Sequence, residues 1–242
     1  MAMENFKEIL FIDIETVPEK PAFSQLSEAM QHEWLRKAKT VKSNNTETPD
    51  PEALFGERAG IFSEFAKVVC IGFGSFVYTD DKCTMRLKAL VNANEKQLLA
   101  DFADMVNKFC KHYTNMQFCG HNIKEFDIPF LCRRMIINGV PLPPVMQIAG
   151  KKPWEVNHID TMELWRFGDH KNFTSLSLLA AILGIPSPKN DIDGSMVADV
   201  FWKDNDLARI GKYCIQDVYT SAKVYLRLKG IHNLEIEQMI VE

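Results

Sequence analysis

The run Ile9-Leu10-Phe11-Ile12-Asp13-Ile14-Glu15-Thr16 constrains this chain more than any other segment. Its β-branched and apolar residues predict a buried strand close to the N-terminus. In a strand, residues i and i+2 point to one face, so Asp13 and Glu15 stand on the same side, separated by roughly 6.6–6.8 Å of rise. Two carboxylates facing one way out of an apolar strand are costly unless something cationic neutralises them. The bland alternative is a strand end whose acids face water. Phe11, Ile12 and Ile14 argue against it, because they predict burial right up to the pair.

The elements that follow predict what this strand joins. Ser24–Lys39 reads as helical, and Ser43–Pro51 as a polar, turn-rich loop. Residues 68–77 and 84–91 read as strands joined in a hairpin through 79–82. Leu98, Leu99, Phe102, Val106 and Phe109 set a helical period over about 94–112. Gln117–Gly120 and Asn157–Met162 read as short strands, and 126–138, 174–183 and 206–229 as helices. A meander followed by alternating strands and helices implies an α/β fold, one mixed sheet with helices packed on it. The expectation is a single domain over 1–242 with an insertion at about 18–66, since no repeat or composition break divides the chain.

Composition narrows the function. Lys and Arg number 28 against 32 Asp and Glu, a net charge of −4. That excludes a protein that coats nucleic acid through bulk positive charge. It leaves open phosphate chemistry in which bound divalent cations supply the charge. The six cysteines are scattered without C-x-x-C spacing and read as small buried hydrophobes, not as a disulfide framework or a zinc site. The N-terminus lacks a secretory pattern and no apolar run approaches a membrane span, so the expectation is a cytoplasmic protein without a membrane partner.

Two further acids stand in telling surroundings. In Gly120-His121-Asn122-Ile123-Lys124-Glu125-Phe126-Asp127, a strand ends, a polar turn follows and Asp127 opens a helix. Alone, such an Asp only complements the helix dipole, and His121 is most simply a hydrogen-bonded structural residue. Tyr213 and Asp217 are i and i+4 on the last helix, so they share one face. Ile210, Cys214, Val218 and Ala222 predict that this face is at least half buried.

Taken in order, Asp13-Ile14-Glu15, Asn122 through Phe126-Asp127, and Tyr213 through Asp217 resemble the three motifs of the DEDD superfamily of 3′-to-5′ exonucleases. One branch of that superfamily carries His five residues before the last Asp. Lys212 stands there in this chain and Tyr213 lies four before, which resembles the tyrosine branch, DEDDy. FIDIET, GHNIKEFDIPFL and YCIQDV resemble the proofreading exonuclease domain of B-family DNA polymerases. Trp34–Lys37 and Ala59–Lys67 resemble a bacterial group of stand-alone predicted exonucleases related to it. The resemblance covers about 8–228 and implies a ribonuclease H-like fold and hydrolysis of phosphodiesters in single-stranded DNA from the 3′ end.

The resemblance also assigns roles. Two divalent cations about 3.5–4 Å apart stabilise the attacking and leaving oxygens, and oxygen donors favour Mg²⁺ or Mn²⁺. By resemblance Asp13 bridges both cations, Glu15 and Asp217 complete the first site, and Asp127 holds the second. Tyr213 orients the attacking water; with an ordinary pKa near 10 it need not accept the proton. Thr16, at the end of FIDIET, joins the substrate-binding candidates with Asn122, which bonds the substrate backbone or shapes the turn, and Phe126, which stacks on a terminal base or fills the core. Trp34, Arg36 and Lys37, with Lys39 and Lys42, have the composition of a single-strand platform, and equally of a solvated helix face. Asp160 reads as structural, and Asp191-Ile192-Asp193-Gly194-Ser195 as a helix cap rather than a calcium loop.

Three competing readings remain. RNA could replace DNA, or the substrate could be a particular nucleic-acid structure, since no residue reports on a 2′-hydroxyl. The fold could serve as a silent binding module, which the retention of four acids and the tyrosine opposes. A small-molecule phosphatase would need D-x-D-x-T, and Glu15 stands where its second Asp belongs. Partner proteins are not legible.

Overall fold

The first strand, β1 (Ile9–Pro18), alternates between two cores, and this alternation positions everything else. Leu10, Ile12 and Ile14 face one layer, with α3 (Glu95–His112) and α4 (Asp127–Asn138). Ile9 and Phe11 face the other, against the long helix α8 (Leu207–Leu228). Asp13 and Glu15 continue the odd-numbered series, so the period-2 pleat delivers both carboxylates toward α8.

The computed structural model describes residues 6–41, 50–79, 82–169, 171, 173–186, 191–232 and 234–241. Its strands β2 (Ala66–Thr79), β3 (Lys82–Val91), β4 (Gln117–Gly120), β5 (Ile159–Asp160) and β6 (Ile236–Ile240) join β1 in a mixed sheet of order β5-β4-β1-β2-β3-β6. The β1–β2–β3 meander is antiparallel, and β4, β5 and β6 add parallel to their neighbours. With helices on both faces, this is the ribonuclease H-like α/β architecture.

Between β1 and β2 lie α1 (Glu28–Ala38) and α2 (Pro51–Arg58). They pack around Trp34, Phe55 and Phe65 in a separate small core. Ser27 caps α1 at the Met30 amide, and Asp50 caps α2 with Pro51 in its first turn. The end of the expected loop at Ser43–Pro51 is therefore a helix start, while 43–49 lie outside the described residues. A second correction concerns Asn157–Met162. Only Ile159–Asp160 is strand, because the Asp160 carboxylate accepts the Met162 and Glu163 amides and begins α5 (Thr161–Arg166). The helix expected at 174–183 is α6 (Leu176–Ile182), capped by Ser175. The short α7 (Val197–Asp199) precedes α8. Among the described residues no helix is long and apolar enough to cross a bilayer.

Candidate active site

Two glycines let the site close. Gly72 on β2 lies opposite Asp13, and a Cβ there would come within 2.7 Å of the Cys214 sulfur. Its absence lets α8 press onto the sheet, and the Gly72 amide donates to Cys214 Sγ at 3.1 Å. Gly120 ends β4, where a Cβ would overlap the Ile12 carbonyl and Ile123. A glycine inside a strand pattern is the mark of such close approach.

Because β4 stops at Gly120, β1 loses its neighbour while it still has amides to satisfy. Asp127, in the first turn of α4, fills that gap: its Oδ1 accepts the Ile14 amide at 3.1 Å. The turn that carries it, 121–126, is held by other groups. Asn122 takes a left-handed conformation (φ 64°), which Asn tolerates better than most residues. The Asp160 carboxylate accepts the amides of Asn122 at 2.9 Å and Lys124 at 3.0 Å. His121 bridges Thr161 Oγ1 and the Thr174 carbonyl. Asp160 and His121 are thus structural, as read from the sequence.

Asp13, Glu15, Asp127 and Asp217 converge where β1, α4 and α8 meet, and they repel one another. Burial raises the pKa of Asp13 well above the carboxylate range, and the charges of Glu15, Asp127 and Asp217 push it further. Glu15 is raised in the same way by burial, Asp217 and Asp127. Burial lifts Asp127 to about 7 despite its backbone hydrogen bonds. Asp217 is also raised by burial, with the Tyr213 hydroxyl pulling back toward the anion. Tyr213 itself is held far above its ordinary value by burial and then by Asp217 and Glu15. Among the described residues no Lys or Arg is an electrostatic partner that moderates these four acids.

Such a donor set fits divalent cations, which would remove the repulsion that the protein leaves in place. Oxygen donors of Asp13 and Glu15 and the Cys214 sulfur all lie within 4.8 Å of one another. The thiol is held protonated by burial, and a metal ligand must be the thiolate. Cys214 instead donates toward Asp13 Oδ2 at 3.5 Å. Sequence reasoning counted it only as a buried hydrophobe; its place on the Tyr213–Asp217 helix face was the available signal.

The substrate-binding candidates fare unevenly. Thr16 is half-buried, and its hydroxyl donates to the Gly60 carbonyl at 2.7 Å. Phe126 is half-buried against Phe130 with ring centroids 5.3 Å apart. Trp34 is a correction: it is fully buried, ringed by Phe55 and Phe65, with its indole N–H on the Pro51 carbonyl. A ring enclosed on both faces has none to offer a base. Arg36 pairs with Glu33 at 3.3 Å on the exposed face of α1, and Lys37 lies over the Phe62 ring. Lys42 lies outside the described residues. In the 191–195 segment, the Asp193 carboxylate bonds Ser195 just ahead of α7, while Asp191 pairs with Arg209 at 2.7 Å.

A mixed sheet with helices on both faces, two acids on β1 and one each on α4 and α8, defines the class as a ribonuclease H-like domain. The chain belongs to the family of predicted 3′-5′ exonucleases related to the exonuclease domain of PolB, whose pattern matches residues 61–239. Among solved structures it is similar to the family B DNA polymerase of the hyperthermophilic archaeon Pyrobaculum calidifontis, with a TM-score of 0.54 and 16% identity. That likeness covers 91% of this chain but 24% of the polymerase chain, and it is a likeness of fold. No curated protein matches by sequence.

Proposed function

We propose that this chain is a divalent-cation-dependent exonuclease of the tyrosine branch that removes nucleotides from the 3′ end of single-stranded DNA. The observation that carries the reading is the gathering of Asp13, Glu15, Asp127 and Asp217 with no protein cation against them among the described residues, beside a tyrosine that reaches Asp217. Four such acids cannot approach a phosphodiester unless cations stand between them. Asp13, Glu15, Asp127 and Asp217 would hold two Mg²⁺ or Mn²⁺ ions, which supply charge stabilisation for phosphoryl transfer when bound.

The residues of the chain do the rest. Ile14 and Asp127 lock the strand to the helix start, so the acids are positioned before any ligand arrives. Positioning of this kind removes reorganisation from the reaction step. Burial and the neighbouring acids favour the protonated hydroxyl of Tyr213, so its role is to orient a water and not to take its proton.

The test is digestion of end-labelled single strands, DNA and RNA in parallel, with Mg²⁺, with Mn²⁺ and in excess chelator. The expected result is metal-dependent release of nucleoside monophosphates from DNA, stopped by a non-hydrolysable 3′-terminal linkage and not by a 5′ block. Digestion undiminished in chelator, or cleavage of closed circles, overturns the reading. Faster digestion of RNA reassigns the substrate.

A further inference from the structure

Behind the turn that carries Asp127 lies a cavity of about 370 Å³ that the carboxylate cluster does not use. Asn122 and Ile128, on either side of Asp127 in the sequence, belong to its wall; the other wall comes from 148–166. Ligand pockets begin at roughly 300 Å³, so this one accepts a single small molecule and not a strand.

Its walls combine two chemistries. Ile128, Ile148 and Met162 offer apolar sides; Lys124, Lys151 and Arg166 bring positive charge and Glu125, Asp160 and Glu163 negative charge, each of these acids already engaged by another group of the chain. Lys124 pairs with Glu163 at 2.6 Å and Arg166 with Glu125 at 3.0 Å. Lys151 has no ion-pair partner among the described residues.

His158 is the group that asks for a ligand. It lines this cavity and a neighbouring one of about 300 Å³, yet is only 6% exposed. Its ring meets Phe118 edge to face at 5.2 Å, and neither ring nitrogen reaches full hydrogen-bond geometry, although the Val145 carbonyl acts on the ring. Burial first, then the charges of Lys124 and Lys151, hold its pKa down to about 4, against a weaker pull from the Val145 carbonyl. A neutral imidazole offers one donor and one acceptor. Arg166 Nε is also buried without a partner. Buried polar groups without full partners are costly, and both His158 and Arg166 line this one cavity.

We infer that the cavity is a second binding site, separate from the carboxylate cluster, for a nucleoside monophosphate. Its phosphate meets Lys124 and Lys151, its planar base lies between the aliphatic walls, and His158 hydrogen-bonds the edge of the base. The identity of the occupant rests on the exonuclease reading, which makes mononucleotides the product at hand. The site has a route to the reaction centre. Asp160 holds the Asn122 and Lys124 amides from beside the cavity, so an occupant bears on the turn that presents Asp127.

The experiment is calorimetric titration of the full chain with a nucleoside monophosphate in excess chelator, so that no cation can recruit a phosphate to the acids of the reaction centre. The expected result is saturable 1:1 binding that weakens at least about tenfold in Lys151→Ala and in His158→Phe, the scale of one lost hydrogen bond to a charged group. Asp13→Asn should bind as the unaltered chain does. Lys151 is on the surface, so its variant remains informative if His158→Phe fails to fold. No saturable binding, binding indifferent to Lys151→Ala, or equal affinity for inorganic phosphate overturns the proposal. Hydrolysis plays no part in this readout, so a chain that binds the nucleotide but digests no DNA sinks the exonuclease reading and leaves the site standing.

Discussion

Two parts of this molecule bury acids and treat them in opposite ways. Glu95, at the start of α3, is neutralised in full: Arg134 Nε meets Oε1 at 2.8 Å, and the Val68 amide and the Asn138 amide take the remaining positions. The Asp13–Glu15–Asp127–Asp217 group has no such partner among the described residues, and each pKa is raised. The same chain can therefore satisfy a buried carboxylate with its own groups when the role is to hold α3, α4 and β2 together. Where it does not, the repulsion left in place is what the proposed cations would relieve. Burial does not separate structure from function here; the completeness of compensation does.

The sharpest break of this contrast is to remove one unmet acid. Asp13→Asn or Asp217→Asn should abolish hydrolysis in Mg²⁺, a larger loss than the roughly 10²–10⁴ that a positioning group supplies. In chelator, the same variants should be more stable than the unaltered chain by about 0.5–2 kcal/mol, because a repulsive charge is gone. Urea unfolding in chelator checks this; destabilisation would mean that the acids are structural. Tyr213→Phe comes next. Its ring still fills the helix face, so single-turnover rates should fall about 10²–10⁴-fold with affinity nearly unchanged. Unchanged rates would reduce the tyrosine to packing.

Breaking the compensated acid should give the reverse pattern. Glu95→Ala strands Arg134 and should cost about 3–5 kcal/mol, seen as a lower urea midpoint, while the folded fraction keeps its hydrolytic rate. A loss of rate beyond the folded fraction would couple this network to the reaction centre. The smallest effect is the pH dependence. A carboxyl whose pKa is raised in the folded state binds its proton more tightly than the unfolded chain does. Its contribution is present below the ordinary value near 4 and is lost as pH rises, to about 7 for Asp127. The midpoint in chelator should therefore fall across that window, and Mg²⁺ or Mn²⁺ should flatten the slope. A midpoint that rises with pH there would contradict the repulsion.

Much of this was legible in the sequence, for identifiable reasons. The β1 pleat fixes Asp13 and Glu15 on one face, and the i, i+4 spacing fixes Tyr213 with Asp217, because both are local periodicities. What pairs with what was not local. Trp34 looked like a surface aromatic among lysines, yet α2 folds over it; Pro51 and Asp50 signalled that helix but stood at the end of a polar run. β6 went unread because its residues are largely exposed, which leaves little alternation to see. The Glu95–Arg134 pair joins two helices 39 residues apart, and nothing at either position announces the other. Asp160 resembled one more strand-end acid until its acceptance of amides from both α5 and the 121–126 turn became visible.

The contact between Cys214 and Asp13 joins positions 201 residues apart in the chain. Ribosomes add about 5–20 residues per second, so roughly 10–40 s of synthesis separate the two halves of the reaction centre. During that interval the nascent polypeptide can pair β1 with its meander but lacks Asp217 and Tyr213. On the proposed reading, the acids of β1 would therefore wait for Tyr213 and Asp217 before the reaction centre could assemble.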